Sequence, residues 1–434
     1  MSIRQWAAHA ALFTWTVTVL HAQAQTAAPT PPPATVPARA PLRLDDVLRG
    51  ARENAAVTIT RRALDAARAD VLSADHAPAP VLTAKSSSID LQNGIGAGSL
   101  ANKRIDNSLG IDWTLERGGK RRARVDAAER AAEAAQADVD DTQVQQVIAA
   151  GNAYFDLLGA QERLAEVGEI ERSAGQLAST SNRRVQAGDL AAQEASRAEI
   201  EAQRSRLETR TAELDRERAR LTLAQLLGPT APVRGADANP ADWPGTGAAL
   251  PEGDVDALVE TRADVRAALA RVAANEGRLA LAEAQRSADV TLGVSIDRYP
   301  GVSNRLLEVR ASIPLNWSYR FEGEIGRAQA ELAQARETLA KTRHDARLEL
   351  LRLRAEAENN QRRLQTFEGD ILTRARKVAD NAELAYRRGA MSLTDLLDAR
   401  RTVRATQLDA INARVDHAKA SLAWRLRTQP SLSP

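Results

Sequence analysis

The chain has 434 residues, of which 44% are hydrophobic but only 3% are aromatic, and 27% are charged with a net charge of +2. This near balance is typical of a solvated helix surface and argues against a nucleic-acid-binding protein. The absence of cysteine excludes disulfides, thiolate metal sites and a lipid-modified N-terminal cysteine. Abundant Ala, Arg, Glu, Gln and Leu favour long helices and coiled-coil seams over a compact globule.

The N-terminal segment predicts export. Arg4 supplies a positive end, and the apolar stretch 6–20 has the length of a signal-peptide core but not of a membrane-spanning helix. Ala22-Gln23-Ala24 offers a cleavage site, so we predict a signal peptide at residues 1–24. A short buried helix is the alternative interpretation of this stretch. Residues 25–41, rich in Pro, Ala and Thr, predict a disordered leader.

The rest of the chain divides into two similar halves. Proline, which interrupts helices, is absent from residues 81–228 and 315–429. Gly188 and Gly389 lie 201 residues apart, and a ladder of apolar residues spaced by seven repeats at the same offset. The ladders are Ile200, Leu207, Leu214 and Leu221, and then Leu408, Val415 and Leu422. An internal duplication is the simplest interpretation. The predicted segments are a first repeat at 42–228, a linker at 229–255, a second repeat at 256–427 and a tail at 428–434.

Each half contains a pair of predicted strands. Apolar and polar residues alternate over 105–115, 290–297 and 307–315, and more weakly over 81–90. Such segments, of about 9–11 residues, suit tilted strands that cross a bilayer. Because about eight strands are the practical minimum for a closed barrel, a membrane location requires several chains to share one barrel. A soluble hairpin in each half is the alternative.

Helix lengths predict how the strands are connected. The predicted helices at 117–187 and 322–388 would each run about 100 Å at about 1.5 Å per residue. Shorter helices are predicted at 44–74, 189–227, 256–287 and 390–427. Each half therefore forms a long antiparallel hairpin whose tip lies at Gly188 or Gly389. Leu332, Leu339, Ala346 and Leu353, spaced by seven, predict side-by-side packing of the helices. The predicted fold is mainly α with a small β part.

Residues 386–400 carry the most specific motif, TyrArgArgGlyAlaMetSerLeuThrAspLeuLeuAspAlaArg. A tip glycine followed by this hydrophobic and aspartate pattern resembles the TolC-like outer-membrane efflux proteins. The resemblance continues through 408–422 and through IleProLeuAsnTrp at 313–317, and it covers about residues 42–427. The run GluArgGlyGlyLysArgArgAlaArg at 116–124 is similar to the cobalt–zinc–cadmium efflux subgroup, which belongs to the heavy-metal RND systems.

The resemblance implies a homotrimer in the outer membrane of a Gram-negative cell. Four strands from each chain would complete a twelve-stranded β-barrel among outer-membrane lipids, and the helical hairpins would form an α-barrel across the periplasm. The implied partners are a periplasmic adaptor (membrane fusion protein) and an inner-membrane RND-type pump. The implied function is passive conduction, with heavy-metal cations as the expected cargo. A type I secretion or multidrug export duct of the same architecture and a soluble periplasmic coiled-coil scaffold are the alternatives.

The family motif also implies site residues near the hairpin tips. Asp395 and Asp398 would face the lumen at the periplasmic entrance, where three copies make an acidic ring. Glu194 takes the place of Asp395 in the first repeat. Ordinary solvated carboxylates near a helix N-terminus are the alternative. The hairpin tips expected to contact the adaptor comprise Gly188, Gly389, Arg183, Arg184, Arg387 and Arg388. The arginines could instead cap helix C-termini.

The sequence predicts neither an enzyme nor a cofactor or metal site. His76, His344 and His417 lack the spacing of metal ligands. Gly118-Gly119-Lys120 lacks the remainder of a phosphate-binding loop. The basic run at 120–124 has no interleaved aromatic residues, so we expect exposed arginines at the start of a helix and no nucleic-acid partner.

Overall fold

The computed structural model describes residues 41–89, 105–228, 237–245, 254–300, 302–315 and 317–428. The predicted signal peptide at 1–24 lies outside the described residues, as do most of the leader at 25–41, most of the linker at 229–255 and most of the tail at 428–434. Helices dominate the described residues and accompany one antiparallel sheet. The mainly α fold class is therefore confirmed.

The two halves contain corresponding elements in the same order, and the long helix of the second half is divided into two. The first half consists of α1 (Leu44–Ala51), α2 (Ala55–Ala74), β1 (Val81–Ser87), β2 (Asp106–Leu115), α3 (Lys120–Gln186) and α4 (Ala192–Leu227). The second consists of α5 (Val255–Thr261), α6 (Ala263–Ala284), β3 (Val290–Tyr299), β4 (Ser303–Ser312), α7 (Glu322–Thr366), α8 (Leu372–Arg387) and α9 (Leu393–Thr428).

The four strands form one sheet in the order β1-β2-β3-β4, with every neighbouring pair antiparallel. Both predicted hairpins are present. The sheet also pairs β2 with β3, placing Leu109 opposite Ile296 and Trp113 opposite Leu292. This pairing was not predicted, because alternation of apolar and polar residues identifies strands but not their partners across a long sequence separation. It joins the two halves into one sheet.

The two faces of the sheet differ sharply in polarity. One face carries large apolar side chains that are exposed in the single chain, namely Leu82, Leu109, Ile111, Trp113, Leu292, Val294, Ile296, Leu307 and Val309. On the other face the Thr83 hydroxyl donates to Asp112 Oδ2 at 2.6 Å, and Arg310 donates to Asp112 Oδ1 at 2.8 Å. A large exposed apolar patch is unfavourable in water, so the apolar face of the sheet requires an apolar environment to cover it.

Heptad packing holds the long helices together. The α3 helix contains 67 residues and therefore extends about 100 Å. It contacts α2, α4, α6 and α9. On α7 the predicted seam Leu332, Leu339, Ala346 and Leu353 is buried. This confirms the expected side-by-side packing of that helix.

Three predicted helices differ from the structure. The helix at 44–74 is broken at Asn54, whose Oδ1 accepts from the Val57 amide at 3.0 Å and starts α2. The helix at 256–287 is broken at Arg262. The helix at 322–388 contains a π-helical turn, Phe367–Ile371, between α7 and α8. Apolar spacing continues through such points, so it does not reveal a break that a buried polar side chain stabilises.

Candidate functional site at the hairpin tips

The two hairpin tips share one backbone geometry. Gly188 and Gly389 have φ values of 81° and 73°, in the left-handed region that favours glycine. In both tips the amide after the glycine donates to the carbonyl five residues earlier, at 2.8 and 2.9 Å. The amide of each glycine donates to the carbonyl three residues earlier at 3.0 Å. Both long helices therefore end in a Schellman motif, which fixes the position of the tip.

The four arginines before the tip glycines have different surroundings. Arg183 donates to a threonine hydroxyl one turn earlier at 3.3 Å, and Arg387 pairs with a glutamate one turn earlier. Arg184 lies 6.0 Å from the centre of the Tyr386 ring and so connects the two hairpins. Arg388 is exposed at the C-cap of α8. The glycine motifs, rather than these arginines, close the helix ends.

The two return helices begin differently. Ser392 Oγ accepts from the Asp395 amide at 3.2 Å and donates to Asp395 Oδ2 at 2.8 Å, a reciprocal cap at the start of α9. At the equivalent point Ala191 caps α4 without a side-chain hydrogen bond, and Glu194 is half-buried. Asp395 thus contributes to a helix cap, while its carboxylate stays exposed.

A network of arginines and carboxylates lies between the return helices, within the first three turns of α9. Arg401 lies 3.0 Å from Glu201 of α4 and 3.4 Å from Asp398, which is 65% exposed. Arg197 of α4 donates to the Thr394 hydroxyl at 3.0 Å. Arg401 and Glu201 were not among the predicted site residues. Their separation of 200 residues, close to the repeat offset, is the signal that could have found them.

Small side chains bring the two hairpins together. Alanines from α3, α4 and α8 interlock with leucines from the start of α9: Ala174, Ala178, Ala198, Ala202, Ala382, Leu393, Leu396 and Leu397. A cavity of about 160 Å³ lies beside this cluster and is bordered by Glu201, Glu383, Arg400, Arg401 and Arg404. Both hairpin ends therefore form one four-helix unit with a charged margin. In the described part of the chain, no group of three or more His, Asp or Glu residues could hold a metal ion.

The basic run at 120–124 lies at the other end of the helices, where they meet the sheet. Lys120 is buried and lies 2.9 Å from Asp289, whose other oxygen accepts from the Arg117 amide at 3.0 Å. Arg124 lies 2.7 Å from Glu116 and also donates to two backbone carbonyls at the C-terminal end of α2. The expectation of exposed arginines at the start of this helix agrees with the exposure of Arg121 and Arg122 but was wrong for Arg124, which is half-buried because it ties the start of α3 to the neighbouring elements.

This arrangement of a strand pair, a long helix and a return helix, present twice, matches a known family. The family model described as "Outer membrane efflux protein" matches residues 49–229 and 255–426. The chain belongs to this family. It is an outer-membrane protein that extends into the periplasm, a passive channel component of a tripartite efflux system rather than an enzyme. This location excludes the soluble-scaffold alternative. No helix among the described residues is long and apolar enough to span a membrane.

Individual relatives have low sequence identity to this chain but match most of its length. The chain is 24% identical to the cobalt-zinc-cadmium resistance protein CzcC of Cupriavidus metallidurans over 297 residues, 67% of this chain and 69% of that protein. It is also 24% identical to nodulation protein T of Rhizobium leguminosarum bv. trifolii over 395 residues, 87% and 83% of the two chains. A crystal structure of CusC has a TM-score of 0.75 at 17% identity, covering 89% of this chain and 91% of that one. The expected TolC-like fold is confirmed.

Proposed function

We propose that three copies of this chain form the outer-membrane duct for heavy-metal cations, working with a periplasmic adaptor and an RND-type pump. The support for the cargo is the similarity to CzcC, together with exposed carboxylates at the tip of the second hairpin. The second candidate is a type I secretion or multidrug export duct of the same architecture, because nodulation protein T, whose name does not refer to metals, is equally identical over a longer stretch.

The sheet supports assembly from several copies. Strands β1 and β4 lie at its two edges, where one side of each strand has no neighbour in this sheet. Backbone groups left unpaired in lipid are costly, so a membrane sheet has to close on itself. Pairing β4 of one copy with β1 of the next would satisfy both edges. Three copies would close a twelve-stranded barrel, within the range of bacterial outer-membrane barrels.

The helices support the same assembly. On α9, Val415 and Leu422 fill the spaces beside Gly159 and Gly151 of α3, where an added methyl group would collide with them. The equivalent ladder on α4 is uncovered, with Leu207 62% exposed. The repeat suggests its partner, the long helix of the second half in a neighbouring copy. That helix exposes Leu348, Leu351, Val378 and Leu384.

The proposed gate consists of Asp395, Asp398 and Glu194 from each copy. Leu396 and Leu397 pack against the first hairpin, and Asp395 and Asp398, which flank them in the sequence, stay exposed. A ring of carboxylates attracts cations and holds them weakly, which suits conduction better than a tight site. The tips that carry Gly188 and Gly389 would then meet the adaptor.

Ion selectivity of the reconstituted channel tests the gate. Replacing Asp395 and Asp398 by Asn should lower the permeability ratio of cations to anions in planar bilayers and weaken block by multivalent cations. Asp65→Asn with Asp70→Asn removes the same charge from α2 and should leave both unchanged. Equal behaviour of the two variants would reject the acidic ring.

Growth on metal salts tests the cargo. A deletion strain should become sensitive to cobalt, zinc or cadmium, and the wild-type gene should restore growth, whereas the Asn variant should restore it less well. Sensitivity to organic compounds with unchanged metal tolerance would favour the second candidate.

A further inference from the structure

Four arginines around the junction between helices and sheet have exposed side chains: Arg117, Arg122, Arg286 and Arg320. We call these four residues the arginine collar. Among the described residues, none of the four has a carboxylate within ion-pair distance, in contrast to Arg401 at the tips. An exposed guanidinium group with no carboxylate partner remains available to an external anion.

Contacts near the junction bring Arg117 and Arg286, two members of the collar, to one level of the molecule. Gly118 lies so close to Ser287 that an added methyl group would collide with it. The neighbouring amide of Arg117 donates to Asp289 at 3.0 Å. Arg117 and Arg286 are therefore adjacent to the same junction.

Arg320 joins this level from the last strand. Its backbone amide donates to Glu322 at 2.9 Å and lowers the pKa of that carboxyl, and the charges of Arg286 and Arg320 lower it further. Three chain segments thus place positive charge around one boundary, the point where the helices begin.

The collar is continuous with the apolar face of the sheet. Arg117 follows Trp113 and Leu115 at the same two-residue spacing, and both of these apolar side chains are exposed. After β4 the exposed face continues through Leu315 to Trp317, which is 83% exposed. Trp side chains are enriched at the boundary between lipid tails and headgroups. The exposed apolar face of the sheet therefore ends where the arginine collar begins.

We propose that the arginine collar binds the phosphates of anionic phospholipids in the periplasmic leaflet of the outer membrane. The helices of this outer-membrane protein extend into the periplasm, so the collar lies at the headgroups of that leaflet. Guanidinium groups bind phosphate oxygens in a bidentate manner. The contact would set the depth of the apolar face of the sheet in the membrane. Peptidoglycan is a second polyanion nearby, but the direct continuity of the arginine collar with the apolar face of the sheet favours lipid.

Quenching of tryptophan fluorescence by brominated lipids measures this preference on the reconstituted full-length channel. Trp113 and Trp317 serve as reporters. The wild-type protein should prefer brominated phosphatidylglycerol over brominated phosphatidylcholine by about fivefold or more, since each basic residue near an anionic surface contributes roughly that factor. Replacing all four collar arginines by Gln should bring the ratio close to one. The control variant has the same change in charge and should keep the preference for phosphatidylglycerol. In it, Gln replaces four exposed helical residues: Arg61, Arg172, Arg210 and Arg374.

Further arms of the experiment separate other anions from lipid. Replacing chloride by inorganic phosphate at constant ionic strength should not abolish the wild-type preference; if it does, the collar is a free-phosphate site and the proposal is wrong. An unchanged lipid ratio in the collar variant, or loss of binding to isolated peptidoglycan sacculi without a change in that ratio, would also overturn it. If the fourfold variant does not assemble, the Arg117/Arg122 and Arg286/Arg320 pairs are tested separately, each with a partial loss expected. Channel conductance should stay normal, which distinguishes this result from failure of the proposed cation duct.

Discussion

The return helices α4 and α9 occupy equivalent places in the two repeats, yet they bury their apolar ladders differently. On α9 the ladder packs against glycines of α3 inside the same chain. On α4 the same heptad spacing leaves Ile200, Leu207 and Leu221 at 59–68% exposure. A duplicated helix thus stabilises its own chain in the second repeat, whereas in the first repeat its exposed ladder is free to meet a neighbouring chain in the proposed assembly.

The long helices differ in a related way. The α3 helix is uninterrupted, whereas its counterpart contains the π-helical turn Phe367–Ile371. Arg414 of α9 reaches Glu368 in this turn at 2.7 Å, pairs with Glu162 of α3, and lies 5.8 Å from the centre of the Trp243 ring. Burial lowers the pKa of Arg414, but the carboxylates of Glu368 and Glu162 outweigh burial and hold that pKa above its ordinary value. One cation therefore connects both halves and the linker.

Polar substitution on the exposed ladder should have the largest effect. Leu207→Gln with Leu214→Gln should dissociate the assembly, because each leucine buried between copies contributes about 1.5–3 kcal/mol. The isolated chain should keep its helix content, measured by circular dichroism. Cross-linking in membranes reports the oligomer. Full assembly of this double variant would show that the α4 ladder does not join copies.

The two helix breaks offer the next comparison. Arg262 is nearly fully buried and lies 2.7 Å from Asp264 and 2.6 Å from Glu349, so Arg262→Met should destabilise the protein by about 3–5 kcal/mol. Asn54→Ala removes a neutral cap and should cost about 1–2 kcal/mol. Thermal unfolding of both variants in detergent measures the difference. A larger loss for Asn54 would contradict the account.

The glycines of α3 provide a test of packing within the chain. Gly159→Ala should collide with Val415 and destabilise the protein by about 1–3 kcal/mol. At Gly168 an added methyl group would meet no atom of a neighbouring helix within 4 Å, so Gly168→Ala should stabilise the helix by about 0.5–1 kcal/mol. Unfolding midpoints of both variants in detergent give the signs. A gain in stability from Gly159→Ala would rule out the described contact between α3 and α9.

The caps of the return helices should show a smaller difference. Ser392→Ala removes the reciprocal cap of α9 and should cost about 1 kcal/mol, whereas Ala191→Ser supplies the missing side chain to α4 and should be stabilising. Hydrogen exchange of the first turn of each helix is the measurement. Equal protection of the wild type and both variants would refute the assigned caps.

The smallest effect concerns pH. Burial, and then the charge of Asp264, raise the pKa of Asp141, while Arg427 and Arg262 oppose that rise. A carboxyl with a raised folded-state pKa destabilises the folded protein increasingly as the pH rises through that value. Asp141→Asn should therefore raise the unfolding temperature slightly at neutral pH, with no gain below the usual carboxyl range. A destabilised Asn variant at neutral pH would contradict this sign.

Regular spacing predicted much of the fold. Alternation located the strands, and the tip glycines located both helix ends, because these signals are local. The β2–β3 pairing was not predictable in this way, since it depends on residues such as Leu109 and Ile296 in different halves. The breaks at Asn54 and Arg262 also escaped, because polar contacts with distant helices stabilise them. At the candidate gate, the positions of Asp395 and Asp398 on the first turns of α9 followed from the motif, but Arg401 and Glu201 required the tertiary packing.

The mass of the purified protein in detergent tests the central claim most directly. Light scattering corrected for bound detergent should give three chains in one particle. Reconstitution of that particle should yield stepwise ion conductance. A folded single chain that stays in solution without detergent, and that produces no conductance in bilayers, would contradict the account.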